Sequence, residues 1–505
     1  VFLNLPQSIK LIDSMDKKNM KDMRFGQINN YIGGKFVESG SSYIDVTSPL
    51  DGTRIGTVPI SGVFDLNEAV KAAKKGLPEW SGRTAKSRSE VLYNYRQLLR
   101  ENRDSLAEIN HVENGKSMME AYAGVDKAVE LTEFACSIPQ LVSGRNQEVS
   151  RGVTCRTERI PLGITAAVTP FNFPLMVPHW SVPNSIALGN AMILKPSEST
   201  PVSASRMAEL WKKAGLPDGI FNVVNGSREI VEALCDHPEI EAVSFVGSTA
   251  VAKNVYRRSA MSLKRVLALG GAKNHLLVFP DAHPEMAAHD ILASATGMSG
   301  QRCMAASVMV CVGDVEHIVR KVCEEARDLV PGKDLSPIIS PQAIEKLRDY
   351  LAEAEEGGAE ILVDGRIFSP EAGYKGYAFG PSVIDYRNGG RMSDEEVFGP
   401  VLEILKADNL ANAVRIENFS PYGNAASVFT QSGRTASEAV NGLSAGMCGI
   451  NIGVPVPREP FSFGGWNFSK FGAGDLTGEP SIEFWTKMKK ITAKWNPEDK
   501  QDWMS

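Results

Sequence analysis

The sequence predicts an α/β protein in which two doubly wound layers follow one another along the chain. Short apolar runs rich in β-branched residues alternate with longer segments of helical period, the pattern of parallel strands joined by helices. The alternation starts afresh near Pro280. At ~100–200 residues per domain, 505 residues make two to four domains.

Each element has its own signal. Ser87 to Arg103 carries Val91, Leu92, Tyr95, Leu98 and Leu99 on one helical face. Met118 to Ala135 reads the same way, as does Val202 to Ala214, which stops at Gly215 with Pro217 beyond. The predicted strands are Ile164 to Val168, Ala191 to Leu194, Phe221 to Val224, Val243 to Val246 and Leu276 to Phe279. The second pass has helices around Glu316 to Leu329 and Gln342 to Glu356, with strands near Glu360 to Val363 and Ala425 to Phe429. This order suggests one domain facing another across a cleft.

Composition removes several function classes. Charged residues at 23% and hydrophobic ones at 43% describe a globular chain, and 54 basic against 60 acidic residues leave a net charge of −6. With no basic run interleaved with aromatics, nucleic acid is not an expected partner. The 7 cysteines are scattered and never form a close pair of metal-ligand spacing, so no metal site is expected. No apolar run approaches the ~20 residues of a membrane span. Residues 1–25 lack the uninterrupted apolar stretch of a secretory signal, which makes a cytoplasmic location the default expectation.

Cys303 is the most informative residue. It stands in the run Ser299-Gly-Gln-Arg-Cys-Met-Ala305, whose small and polar members suggest an accessible thiol with its thiolate favoured by the neighbouring cation. Taken by itself, such a cysteine is more often small core filler than a catalyst. Four further runs matter with it: Thr169-Pro-Phe-Asn-Phe-Pro174, Leu194-Lys-Pro-Ser-Glu198, Phe245-Val-Gly-Ser-Thr249 and Glu396-Val-Phe-Gly-Pro400. The first three lie at the carboxyl ends of predicted strands, where open α/β sheets bind ligands.

In their joint order these runs resemble the NAD(P)-dependent aldehyde dehydrogenase superfamily over roughly residues 25 to 495. Gly271-Ala-Lys-Asn-His275, Gln301-Arg-Cys-Met-Ala305 and Pro460-Phe-Ser-Phe463 are similar, more narrowly, to the coenzyme A-acylating methylmalonate- and malonate-semialdehyde dehydrogenases. The resemblance implies a Rossmann-type NAD-binding domain (22–143 and 163–278), a catalytic domain (279–465), an oligomerisation arm (144–162 and 480–497) and an N-terminal extension (1–21). It further implies a homodimer or homotetramer whose arms extend a neighbour's sheet.

Roles follow from the same resemblance. Cys303 attacks the aldehyde carbon, and the Asn172 side chain with the Cys303 backbone N–H holds the oxyanion. Apart from the likeness, the alternative reading of Asn172 is a turn residue between Pro170 and Pro174. Thr169, Phe171, Ser197 and Leu269 line the cofactor site, Lys195 and Glu198 contact the adenosine ribose, and Ser248 meets the pyrophosphate at a helix N-terminus. A carboxylate at Glu198 favours NAD over NADP. Glu396 holds the nicotinamide ribose, with Phe398 packed near it. Lys195 and Glu198 on their own would read as a solvated surface pair.

Three departures bear on the reaction. Hydrolytic members open the motif Glu-Leu-Gly-Gly with the base that activates water, whereas this chain has Ala268-Leu-Gly-Gly271. Losing a general base costs ~10²–10⁴, and a thiol acceptor such as coenzyme A does not need it. The expected reaction is NAD-dependent oxidation of methylmalonate or malonate semialdehyde to an acyl-coenzyme A, with decarboxylation, through a Cys303 thioester. The alternatives are a hydrolytic dehydrogenase with a relocated base, Asp475 being a candidate, and a catalytically silent protein of this fold. Second, of the two arginines thought to hold the substrate carboxylate, Arg302 matches one, while Lys127 stands at the other and cannot form the guanidinium fork. Third, Gly464 follows Phe463, the expected substrate-pocket aromatic, where the narrower family has Thr.

Overall fold

A computed structural model of the chain describes residues 23–39 and 42–495. The expected N-terminal extension and the last two residues of the expected arm lie outside the described residues.

Five parallel strands form the centre of the first large sheet, in the spatial order Arg265–Leu269, Ile240–Val246, Ile164–Val168, Ala191–Lys195 and Phe221–Val223. Burial on both faces of Ile164–Val168 and Ala191–Lys195 explains why these read as apolar runs; Arg265–Leu269 is not among the expected strands, and Ile240–Val246 extends the expected one with the exposed Glu241. The chain winds outward from Ile164–Val168 in one direction and then returns to wind in the other. The switch therefore falls between Ile164–Val168 and Ile240–Val246, with Thr169 and Gly247-Ser248 at its carboxyl edge, where such sheets open a crevice.

The second sheet has seven strands, ordered Glu360–Val363, Ser382–Asp385, Val401–Ala407, Ala306–Val312, Asn274–Val278, Ala425–Phe429 and Met447–Ile450, all parallel except the first. Asn274–Val278, expected at the end of the first unit, pairs with Ala306–Val312 and Ala425–Phe429 and so belongs to the second. The chain passes between units at Gly270 to Lys273, ahead of the boundary expected at 278. It also crosses back: Lys470–Phe471 lies antiparallel to Arg265–Leu269 at the edge of the first sheet. A two-residue strand has too little periodicity to announce itself.

The arm is a separate antiparallel ribbon of Asn146–Ser150, Val153–Pro161 and Thr486–Lys494, paired from Thr486 opposite Pro161 to Lys494 opposite Val153. Its outer strand Asn146–Ser150 is exposed throughout. The helix Ala85–Glu101 buries the predicted face, Val91, Leu92, Tyr95 and Leu99. It begins two residues before Ser87 because Thr84 caps it, accepting the Ser87 N–H at 3.2 Å. Among the described residues no helix is long and apolar enough to cross a membrane.

Candidate active site

The helix Pro284–Thr296 ends in a turn that no regular element would choose. Met298, Ser299 and Gly300 all have positive φ, at 53°, 49° and 69°, and a side-chain-bearing residue there costs ~1–2 kcal/mol. Specific partners hold it. Glu120 accepts the Met298 N–H at 2.6 Å, the Ser299 hydroxyl donates to the Ser336 carbonyl, and Gly300 packs where a Cβ would stand 1.9 Å from the Gly399 carbonyl oxygen. The Gln301 side chain donates to the Pro337 carbonyl at 3.0 Å and accepts the Ile339 N–H at 2.9 Å. The turn delivers Cys303, half-buried, with its carbonyl accepting from Asn274 Nδ2 and Asn424 Nδ2, each at 2.8 Å.

Burial pushes the Cys303 thiol up to about 12. Glu396 pushes the same way, while the residue's own backbone N–H and the Arg302 cation oppose. The thiol is thus held protonated near neutral pH, contrary to the thiolate that the adjacent Arg302 alone would favour. Desolvation in the closed turn outweighs one neighbouring charge.

Asn172 comes from the other unit, in the loop after Ile164–Val168. It is buried, its Nδ2 donates to the Gln301 carbonyl at 3.0 Å, and its Oδ1 has no partner. Residues 129 positions apart in sequence are thereby joined at the turn before Cys303. One Nδ2 hydrogen is used; the other is available to a ligand. Phe171 meets Phe398 edge to face at 5.9 Å between ring centres.

The other expected cofactor residues gather along the carboxyl edge of the first sheet. Lys195 Nζ donates to Glu198 Oε2 at 2.8 Å. Burial raises Glu198, but the Lys195 charge and hydrogen bond hold it below the usual carboxylate range. Thr169 Oγ1 is buried without a partner, and the Ser197 hydroxyl accepts the Ser199 N–H at 3.3 Å. Ser248 precedes the helix Thr249–Met261 without its side chain capping it, which leaves both the hydroxyl and the helix N-terminus open to an anion. The Leu269 carbonyl accepts the Gly247 N–H at 3.1 Å. Glu396 accepts the Ala272 N–H at 2.9 Å and lines one small cavity with Cys303, Asn274, Arg302 and Phe398. Burial pushes Glu396 up to about 7, against Ala272 and Lys273.

The expected substrate residues are dispersed in their use. Arg302 Nη2 donates to the carbonyls of Ala293 and Ser294, at 2.7 and 2.9 Å, in the last turn of Pro284–Thr296; its Nε is buried and unpartnered. Lys127 Nζ lies 2.8 Å from Glu459 Oε2 and 3.3 Å from Glu130. Phe463 packs on Trp180 with ring centres 4.5 Å apart. Ala268 is fully buried in the first sheet, in register with Phe245 and Phe471. Asp475 has both oxygens engaged, by Lys470 Nζ at 2.5 Å and the Ser462 hydroxyl at 2.6 Å.

The profile of the aldehyde dehydrogenase family matches residues 36–491. The chain belongs to the aldehyde dehydrogenase family. It is 40% identical to malonate-semialdehyde dehydrogenase 1 of Geobacillus thermodenitrificans, over 93% of this chain and 99% of that protein. A crystal structure described as a methylmalonate-semialdehyde dehydrogenase of Sinorhizobium meliloti, complexed with NAD, superposes with a TM-score of 0.91 at 37% identity, covering 94% of this chain and 99% of that one. The methylmalonate-semialdehyde dehydrogenase structure from Oceanimonas doudoroffii gives 0.90 at 36% identity, covering 93% and 99%.

Sequence reading missed the polar groups that hold this aldehyde dehydrogenase's site from behind. Asn274 and Asn424 grip the Cys303 carbonyl, and Glu120 grips the turn before it. Lys273 Nζ, fully buried, lies 2.5 Å from Glu403 Oε2, donates to the Glu395 carbonyl at 2.9 Å, and so ties down the segment bearing Glu396. Lys116 is buried against Asn172 and Met298. The available signal was polar residues inside otherwise regular runs, as in Glu113-Asn-Gly-Lys116 and Lys273-Asn274.

Proposed function

We propose that the enzyme oxidises a short carboxylated semialdehyde, malonate or methylmalonate semialdehyde, to an acyl-coenzyme A with NAD as hydride acceptor. The observation that carries the chemistry is the meeting of Asn172 with the Cys303 turn. The thiol gives up its proton to solvent, the thiolate adds to the aldehyde carbon as the carbonyl electron pair moves onto oxygen, and the oxyanion that forms is held by the free Nδ2 hydrogen of Asn172 and the Cys303 backbone N–H, each donor being worth ~10²–10³ in rate.

The residues at the switch point fit a dinucleotide. Lys195 and Glu198 suit ribose hydroxyls, the open Ser248 helix end suits a pyrophosphate, the orphaned Thr169 hydroxyl and Ser197 stand beside them, and Phe171, Leu269, Glu396 and Phe398 complete the path toward Cys303. When bound, NAD takes up the hydride released as the adduct becomes a thioester.

Discharge of the thioester distinguishes the readings. Ala268 brings no carboxylate, and Asp475 is committed to Lys470 and Ser462, which supports a thiol acceptor over water. For the substrate, the unpartnered Arg302 Nε–H supports recognition of a carboxylate by a guanidinium already anchored through Nη2. The malonate- and methylmalonate-semialdehyde dehydrogenase relatives support the same substrate class, and for the methylmalonyl case decarboxylation precedes thioester transfer. The exposed outer strand Asn146–Ser150 supports an arm that pairs with a second copy in a homodimer or homotetramer.

The test is to assay semialdehydes and propanal for NADH and acyl product with and without coenzyme A. Acyl-coenzyme A formation with little turnover in its absence is expected; free acid formed equally fast without it would exclude the thiolytic reading.

A further inference from the structure

Lys116 is among the most buried side chains of the molecule, 2% exposed, and nothing in the reaction described so far uses it. Its ammonium has three acceptors: Asn114 Oδ1 at 2.9 Å, the Asn172 backbone carbonyl, and Met298 Sδ at 3.1 Å. It also stands 4.2 Å from the centre of the Phe173 ring. Three N–H donors facing acceptors and an aromatic face make the surroundings of a cation. The carboxylates of Glu120 and Glu113 favour that charge, while burial pulls the group down to about 7.

The grip has a second point. Asn114 Nδ2 donates to the Phe171 carbonyl at 2.8 Å, so Asn114 and Lys116 hold two consecutive carbonyls of the loop bearing Asn172. Between them Gly115, with φ at 83°, ends the helix Arg103–Asn114. A Cβ there would come within 2.4 Å of Pro337 and 2.8 Å of Pro49, so the turn that sets the two grips admits only glycine.

Burying a lysine is unfavourable until its partners compensate for the lost hydration. An apolar residue could fill the space, but it would leave the Asn172 carbonyl without its donor and would unlink that loop from Met298. The Asn172 side chain has one hydrogen bond and an orphaned Oδ1, so its amide is aimed chiefly by its backbone.

We propose that Lys116 is a positioning residue for aldehyde addition: by gripping the Asn172 carbonyl, seconded by Asn114 on Phe171, it sets where the Asn172 amide meets the oxyanion over Cys303. The proposal rests on the oxyanion role read for Asn172 above.

The experiment is a double-mutant cycle of Lys116→Met and Asn172→Ala in the full chain. It measures the NADH burst, KM for aldehyde and NAD, and alkylation of Cys303 by iodoacetamide, which forms no oxyanion. Because a displacement of about 1 Å can cost ~10² in rate, Lys116→Met should slow the burst roughly 30- to 100-fold. NAD affinity and alkylation should stay within about threefold, and the double variant should be no slower than Asn172→Ala alone.

Multiplicative losses in the double variant would overturn the proposal, as would a burst unchanged in Lys116→Met. Alkylation falling in parallel with the burst would assign Lys116 to the nucleophile turn and overturn it too. An Asn172→Ala variant with an undiminished burst would instead overturn the oxyanion reading itself. If Lys116→Met does not fold, Asn114→Ala replaces it in the cycle, with a smaller loss and the same non-additivity expected.

Discussion

Around Cys303 the half-buried Glu120 and the buried Lys116 and Lys273 are turned toward the backbone that carries Cys303, Asn172 and Glu396. On the side expected to read the substrate's carboxylate, Lys127 is neutralised by Glu459 and Glu130, and only Arg302 keeps a buried donor in reserve. The first region spends charge on geometry, where an ion in low dielectric acts strongly on the dipoles it touches. In the second, an ion pair already formed has little charge left to offer a ligand. A cation near an active site thus says nothing about binding until its partners are known.

Breaking the first region should have the largest effect. Lys273→Met leaves Glu403 buried with Tyr350 as its remaining donor, at 2.6 Å, and loses the tether on Glu395. Removing one member of a buried pair costs about 3–5 kcal/mol, to be read as a fall in denaturation midpoint. Replacing Lys273 and Glu403 together by leucine and methionine should recover most of that stability while NAD binding stays impaired, because the Glu395 tether is still missing.

The two regions also differ in what the sequence revealed. Cys303 and Asn172 stand out because each sits in a short, distinctive run beside a strand end, Ala268 because it occupies the place of an expected carboxylate, and strands such as Ile164–Val168 were legible because burial on both faces makes them apolar. Long-range pairing was not. Nothing near Lys127 in sequence announces Glu459, and nothing near Asn274 announces the Cys303 carbonyl. The strand Asn274–Val278 starts two residues ahead of the expected Leu276, and its first residue is a buried asparagine whose acceptors lie far along the chain.

A smaller effect concerns the thiol. Glu396 disfavours the Cys303 thiolate, which burial has already pushed to about 12. Alkylation of the ligand-free enzyme should therefore climb about tenfold per pH unit from 7 to 10 without reaching a plateau. Glu396→Gln removes an anion, which lowers the thiol pKa and should speed alkylation at pH 8 by roughly threefold. A plateau near pH 8 in the unmodified enzyme would show instead that the turn opens and solvates the thiol.

The finest test sets Arg302 against Lys127 with one acidic semialdehyde and propanal. A charge-assisted hydrogen bond to a carboxylate is worth about 1.5–3 kcal/mol, so Arg302→Leu should raise KM for the semialdehyde roughly tenfold or more relative to propanal. Lys127→Met should change the same ratio by less than about threefold, because the removed charge was already matched by Glu459, whose side chain is 9% exposed. Its cost should appear in stability, since Glu459 then stays nearly enclosed without its cation. A tenfold, semialdehyde-specific rise in KM for Lys127→Met would mean that substrate draws Lys127 away from Glu459, and the two cations would then form one clamp.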